Sequence, residues 1–116
     1  MARSFFFAGG GTGGHIYPAI AVAERIIKRQ PQSFIHFFCS ERRIDSRILG
    51  RAGWGHTALP AVGLSARPDK LIRFCKGFVQ SSRAARREIG RADKPVVVGV
   101  GGFVAAPACW AAHRLG

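Results

Sequence analysis

The sequence predicts an α/β fold: a parallel sheet with helices packed on both faces. Three observations carry this. Short apolar runs alternate with amphipathic stretches along the whole chain, which is the βαβ rhythm of a parallel sheet. Glycine-rich turns close two of the apolar runs, Phe5-Phe6-Phe7-Ala8 and Pro95-Val96-Val97-Val98-Gly99-Val100. Each of those turns leads straight into a helical pattern.

The elements follow in order. Ser4 to Ala8 reads as a buried strand, and Ile16 to Arg29 as a helix that Pro31 stops. Phe34 to Cys39 is a second strand. A short helix covers about Arg42 to Ala52, with Gly53 just past its end. A third strand lies at His56 to Leu59, and the loop Pro60 to Pro68 leads into a long helix from about Asp69 to Arg91. Pro95 to Val100 is the fourth strand, Gly101-Gly102-Phe103 a turn, and Val104 to Leu115 a helix with Pro107 in its first turn. No repeat, low-complexity tract or internal linker interrupts this pattern. At 116 residues and 47% hydrophobic composition, the chain makes one domain able to bury a core.

The loop Gly9-Gly10-Gly11-Thr12-Gly13-Gly14-His15 carries the clearest functional signal. Strand, glycine loop and helix N-terminus together aim backbone N–H groups at a phosphate, and side chains would block that approach. The loop lacks Gly-Lys-Ser/Thr, so it is no Walker A loop. Gly9, Gly11 and Gly14 satisfy G-x-G-x-x-G, and Glu41 beyond the second strand could meet a ribose, so a dinucleotide reading stays open. Two glycine loops at the ends of two parallel strands would face one crevice, the place where open α/β sheets bind ligands.

The segments GGGTGGHIYPAIAVAE and VVVGVGGFVAAPACWAAHRLG resemble the two glycine-rich motifs of the MurG family of peptidoglycan glycosyltransferases. The resemblance runs in order and spacing through the whole chain. It implies a Rossmann-like fold: residues 1–116 would be part of the N-terminal, acceptor-side domain of a two-domain GT-B enzyme, truncated after Gly116, with the donor-binding C-terminal domain absent. The implied reaction transfers N-acetylglucosamine from UDP-GlcNAc to undecaprenyl-pyrophosphoryl-MurNAc-pentapeptide, and this chain alone would be inactive. His15 would be the catalytic base or a phosphate-positioning donor, since a helix N-terminus lowers a histidine pKa and suits a neutral base. Thr12, Gly13 and Gly14 would contact the donor diphosphate; Gly11, Gly101, Gly102 and Phe103 would hold the acceptor pyrophosphate. No cofactor or metal is implied, and no carboxylate cluster would bind one.

Departures from the family pattern keep other readings open. Three glycines precede Thr12 where two are usual, Phe103 stands where Tyr is common, and Ala105-Ala106-Pro107 replaces a Ser-Gly-Pro-like turn. Arg42 and Arg43 stand where the family tends to Gly and acidic residues. Another GT-B lipid or natural-product glycosyltransferase would share the fold and first loop. A non-catalytic anion- or membrane-binding domain is the alternative from a different class.

Charge points to anionic partners. Eighteen Lys and Arg stand against six Asp and Glu, a net charge of +12. On the long helix Leu71, Phe74, Cys75, Phe78, Ala85 and Ile89 form one stripe, expected to be core, with Ile72 and Val79 at its border. Arg73, Lys76, Arg83 and Arg87 lie opposite, and with Leu64 and Arg67 they are candidates for contact with an anionic membrane surface. No helix-turn-helix, zinc-finger or RNP-type signature is present, so nucleic acid is not expected as a partner. The apolar runs are too short to span a bilayer and no signal peptide precedes the first strand, so a cytoplasmic protein, peripheral on the inner membrane face, is expected. The three cysteines, Cys39, Cys75 and Cys109, match no metal-ligand spacing and are expected to be reduced and core-packed, as are Trp54 and Trp110. His36 is expected to be a packed or edge residue inside the second strand, while His56 and His113 lack motif context.

Overall fold

The computed structural model describes residues 3–10, 16–63 and 67–116. Eight elements alternate as expected: β1 (Ser4–Gly9), α1 (Ile16–Arg29), β2 (Phe34–Ser40), α2 (Arg43–Arg51), β3 (His56–Leu59), α3 (Pro68–Arg91), β4 (Pro95–Gly101) and α4 (Ala105–Leu115). The strands form one four-stranded sheet in the order β3-β2-β1-β4, and every pairing is parallel.

Handedness explains the layers. Parallel crossovers are right-handed, so the steps β1 to β2 to β3 place α1 and α2 on one face, and the return from β3 to β4 places α3 on the other. The core divides accordingly. Phe7, Phe37 and Cys39 pack with Ile16, Ala19, Ile20, Ala23 and Leu49 of α1 and α2. Phe6, Ala8 and Phe38 pack with Ala85 and Ile89 of α3 and with Val104, Ala108 and Ala111 at and within α4. Adjacent phenylalanines thus serve opposite faces, as the strand period of two demands. Phe7 stacks on Phe37 and Phe6 on Phe38, each pair with centroids 5.4 Å apart. Each ring so buried contributes roughly 1.5–3 kcal/mol.

Local chemistry sets the boundaries. Pro68 opens α3, where its missing N–H costs nothing. Gly53, at φ +79, closes α2 as its amide donates to Gly50 O and that of Trp54 to Leu49 O. His36 is half-buried, with Nε2 2.7 Å from Thr57 Oγ1 on the neighbouring strand. Burial pushes its pKa down, partly opposed by Glu88, with His56 adding to the depression.

Several expectations need correction. Of the cysteines only Cys39 is buried; Cys75 and Cys109 are exposed. Trp54 packs on the α1/α2 face, but Trp110 is half exposed. The apolar stripe of α3 is core only toward its C-terminus: Ala85 and Ile89 are buried, Phe74 and Phe78 are half-buried, and Leu71 and Cys75 are exposed, as are Ile72 and Val79 at its border. The cause is position. A crossover helix runs antiparallel to its strands, and Gly77 lies against Pro60, just beyond the last residue of β3; a Cβ there would sit 2.5 Å from Pro60 O. Residues before Gly77 therefore overhang the C-terminal edge of the sheet by roughly 14 Å at 1.5 Å per residue.

Candidate functional site

At that same edge the topology reverses. α1 leaves β1 toward one face and α4 leaves β4 toward the other, so the gap between β1 and β4 is the switch point at which doubly wound sheets open a crevice. Both glycine loops start there. The β1–β4 register shifts after Ala8, and Gly9 then stands opposite Gly101. Gly101 (φ +117) and Gly102 (φ +82) have left-handed backbone that only glycine adopts without strain. A Cβ on Gly102 would lie 2.6 Å from Gly10 O, so the loops meet backbone to backbone. Phe103 follows, and α4 begins at Ala105, whose amide donates to Gly102 O at 3.3 Å.

A buried carboxylate supports the first loop. Asp45, in the first turn of α2, is 0% exposed. Its Oδ2 accepts hydrogen bonds from Ser40 N at 2.9 Å and from Ser40 Oγ. A Cβ on Gly10 would collide with that same oxygen, so Gly10 (φ +147) is required both for its conformation and for the approach of Asp45. Cys39, buried and beside Asp45, has its thiol pushed up to about 11 and stays protonated at neutral pH, unsuited to act as a nucleophile.

The second loop has a cationic neighbour. The Arg42 guanidinium sits 6.0 Å from the centroid of the Phe103 ring, at cation–π range. Its backbone is held as the extended N-cap of α2 while its N–H donates to Ser40 Oγ at 3.2 Å. One network thus runs from Asp45 through Ser40 to Arg42 and the second loop.

Of the residues expected at the site, Gly101 pairs with Gly9 and Gly102 meets Gly10 at the switch point, with Phe103 next in the chain. Gly11, Thr12, Gly13, Gly14 and His15 lie outside the described residues, as does Leu64. Arg67 is exposed and pairs with Asp69 at 3.6 Å. Arg73 is exposed on the α3 overhang; Lys76 and Arg83 line a shallow groove with Leu71, Ile72, Cys75 and Val79. Glu41 is exposed just beyond β2. Sequence reasoning missed Asp45 and Ser40. The available signal was an acidic residue in the first turn of the helix after β2, in a chain with six acidic residues in all.

Comparisons with known proteins agree with this geometry. A family model described as the glycosyltransferase family 28 N-terminal domain matches residues 5–116. A protein of Magnetococcus marinus is 40% identical over 116 residues, covering 98% of this chain and 31% of the relative. One of Geobacter metallireducens is 40% identical over 114 residues, covering 93% of this chain and 30% of the relative. Both bear the name UDP-N-acetylglucosamine–N-acetylmuramyl-(pentapeptide) pyrophosphoryl-undecaprenol N-acetylglucosamine transferase. The chain thus spans about a third of the length of these relatives. The crystal structure of Acinetobacter baumannii MurG superposes with a TM-score of 0.70 at 24% identity, over 98% of this chain and 32% of that one, which shows the shared Rossmann-like fold.

Proposed function

Because the chain belongs to the glycosyltransferase family 28 N-terminal domain, we propose that it is the acceptor-side part of a GT-B hexosyltransferase. The reaction would move N-acetylglucosamine from UDP-GlcNAc to the muramoyl sugar of an undecaprenyl-pyrophosphate-linked acceptor, converting lipid I to lipid II. A further domain, on the same or a separate polypeptide, would grip most of the donor. The observation that carries this reading is the contact between Gly102 and Gly10, which brings the starts of the two glycine loops together at the switch point, where open α/β sheets bind ligands.

The acceptor C4 hydroxyl must lose a proton as it attacks the anomeric carbon, while the leaving UDP gains charge. His15, which immediately precedes the first residue of α1, is the proposed base. Thr12, Gly13 and Gly14 would stabilise the donor diphosphate through hydroxyl and amide donors. Gly11, Gly101, Gly102 and Phe103 would hold the acceptor pyrophosphate. A lipid-linked acceptor has to be reached at a membrane. No helix among the described residues is long and apolar enough to cross one. Peripheral docking is the fitting alternative: the α3 overhang carries exposed Leu71, Ile72, Arg73 and Lys76 at the sheet edge that carries the loops, and Val79 and Arg83 continue the groove beyond it. Leu64 and Arg67 would extend this contact on the inner face of the cell membrane.

The test is a transferase assay with UDP-GlcNAc and a soluble lipid I analogue, on this chain alone and mixed with a separately expressed donor-binding domain. The expected result is activity only in the mixture, lost by at least about a hundredfold in His15→Ala. Inactivity of the mixture, with a folded chain that still binds anionic vesicles, would instead favour a non-catalytic binding domain.

A further inference from the structure

We propose that Arg42 is a pyrophosphate-binding residue of the second glycine loop, a role that rests on the transferase reading above and adds a recognition element to it. Four observations converge. The guanidinium stands over the ring of Phe103, the residue that follows Gly101 and Gly102. Gly102 abuts Gly10, so the ring that Arg42 covers follows directly on the junction of the two loops. The residue is exposed at the crevice side of the sheet, where a ligand can meet it. Finally, the fully buried pair Ser40 and Asp45 fixes the backbone from which it projects, through the Arg42 N–H to Ser40 Oγ.

The chemistry suits a pyrophosphate. The planar fork of a guanidinium matches two phosphate oxygens at once. Holding the side chain on a ring lowers the entropy lost when the anion binds. Loop amides then contribute neutral donors and Arg42 the countercharge. The pyrophosphate could belong to a prenyl-linked acceptor or to a uridine diphosphate, and the two are separable by experiment.

The experiment is titration calorimetry of this chain with farnesyl pyrophosphate and, separately, with UDP. Arg42→Ala should weaken at least one of them by about tenfold, the worth of a charged hydrogen bond. The ligand that loses affinity identifies the source. Arg42→Lys should recover only part of the loss, because an ammonium lacks the fork. Phe103→Leu should weaken the same ligand about threefold, the worth of an exposed cation–π contact. Arg43→Ala, the next residue along, should change neither and so controls for total charge. Equal affinities in wild type and Arg42→Ala overturn the proposal, as does the absence of saturable binding by wild type. If Gly102→Val abolishes binding and Arg42→Ala does not, the loops bind the anion and only the role of Arg42 fails. The transferase reading is judged independently by the activity of the mixed domains.

Discussion

The two halves of α3 share one apolar stripe and meet different fates. From Ser81 onward the stripe is sealed against the sheet, with Ala85 and Ile89 at 0% and 2% exposure. Before Gly77 the same stripe leaves Leu71 at 44% and Cys75 exposed, with Ile72 at its border at 71%. Periodicity specifies which side of a helix is apolar, but the length of the layer beneath decides how much of that side is core. Where the sheet ends, the stripe becomes a surface, and here that surface stands at the edge bearing the glycine loops.

Substitutions can break this contrast. Ile89→Asp, placing a carboxylate in the sealed half, should destabilise the fold by about 4 kcal/mol or abolish it, read by chemical denaturation. At the boundary, Gly77→Val should cost about 2 kcal/mol, because its Cβ must displace the Pro60 carbonyl. In the overhang, the pair Leu71→Asp and Ile72→Asp should leave stability within about 1 kcal/mol. Binding to phosphatidylglycerol vesicles, measured by co-sedimentation, should nevertheless fall about tenfold. Unchanged vesicle affinity would detach the overhang from membrane docking.

Smaller effects sharpen the picture. Iodoacetamide should label Cys75 quickly and Cys39 very slowly, since one thiol is exposed and the other is buried and raised to about 11. Anionic vesicles should protect Cys75 and leave Cys109 reactive if the overhang is the docking face. Under the sealed half, His36 titrates below its unfolded value of 6.5, so the folded state binds fewer protons than the unfolded one near that pH. Its contribution is present above pH 6.5 and is lost as pH falls through the depressed value. Thermal unfolding should therefore shift down on acidification, and less steeply in His36→Asn.

Most of the fold was legible in the residues. Strand and helix limits such as Phe34, Arg29 and Gly53 are set by local signals: β-forming runs, Pro stops and glycine caps. The two glycine loops were equally plain, because unbranched backbone at a strand end has few uses. What escaped depends on three-dimensional neighbours. Asp45 resembles any first-turn acidic residue until Gly10 is seen against its carboxylate. Arg42 and Phe103 are far apart in sequence and meet only across the sheet edge. The exposure of Cys75 reflects where the sheet stops, and that of Trp110 reflects which side of α4 the buried Ala108 and Ala111 turn inward; neither is encoded in one segment.

The pairing of Gly9 with Gly101 also has a kinetic meaning. β1 and β4 sit at nearly opposite ends of the chain, so their union is the longest-range step of folding and the one with the greatest loop-closure cost. A partly folded chain could assemble β1, β2 and β3 with α1 and α2 and still lack the junction of the loops. The junction of the loops is therefore a signature of completed folding, and a ligand held there would stabilise the chain against losing β4.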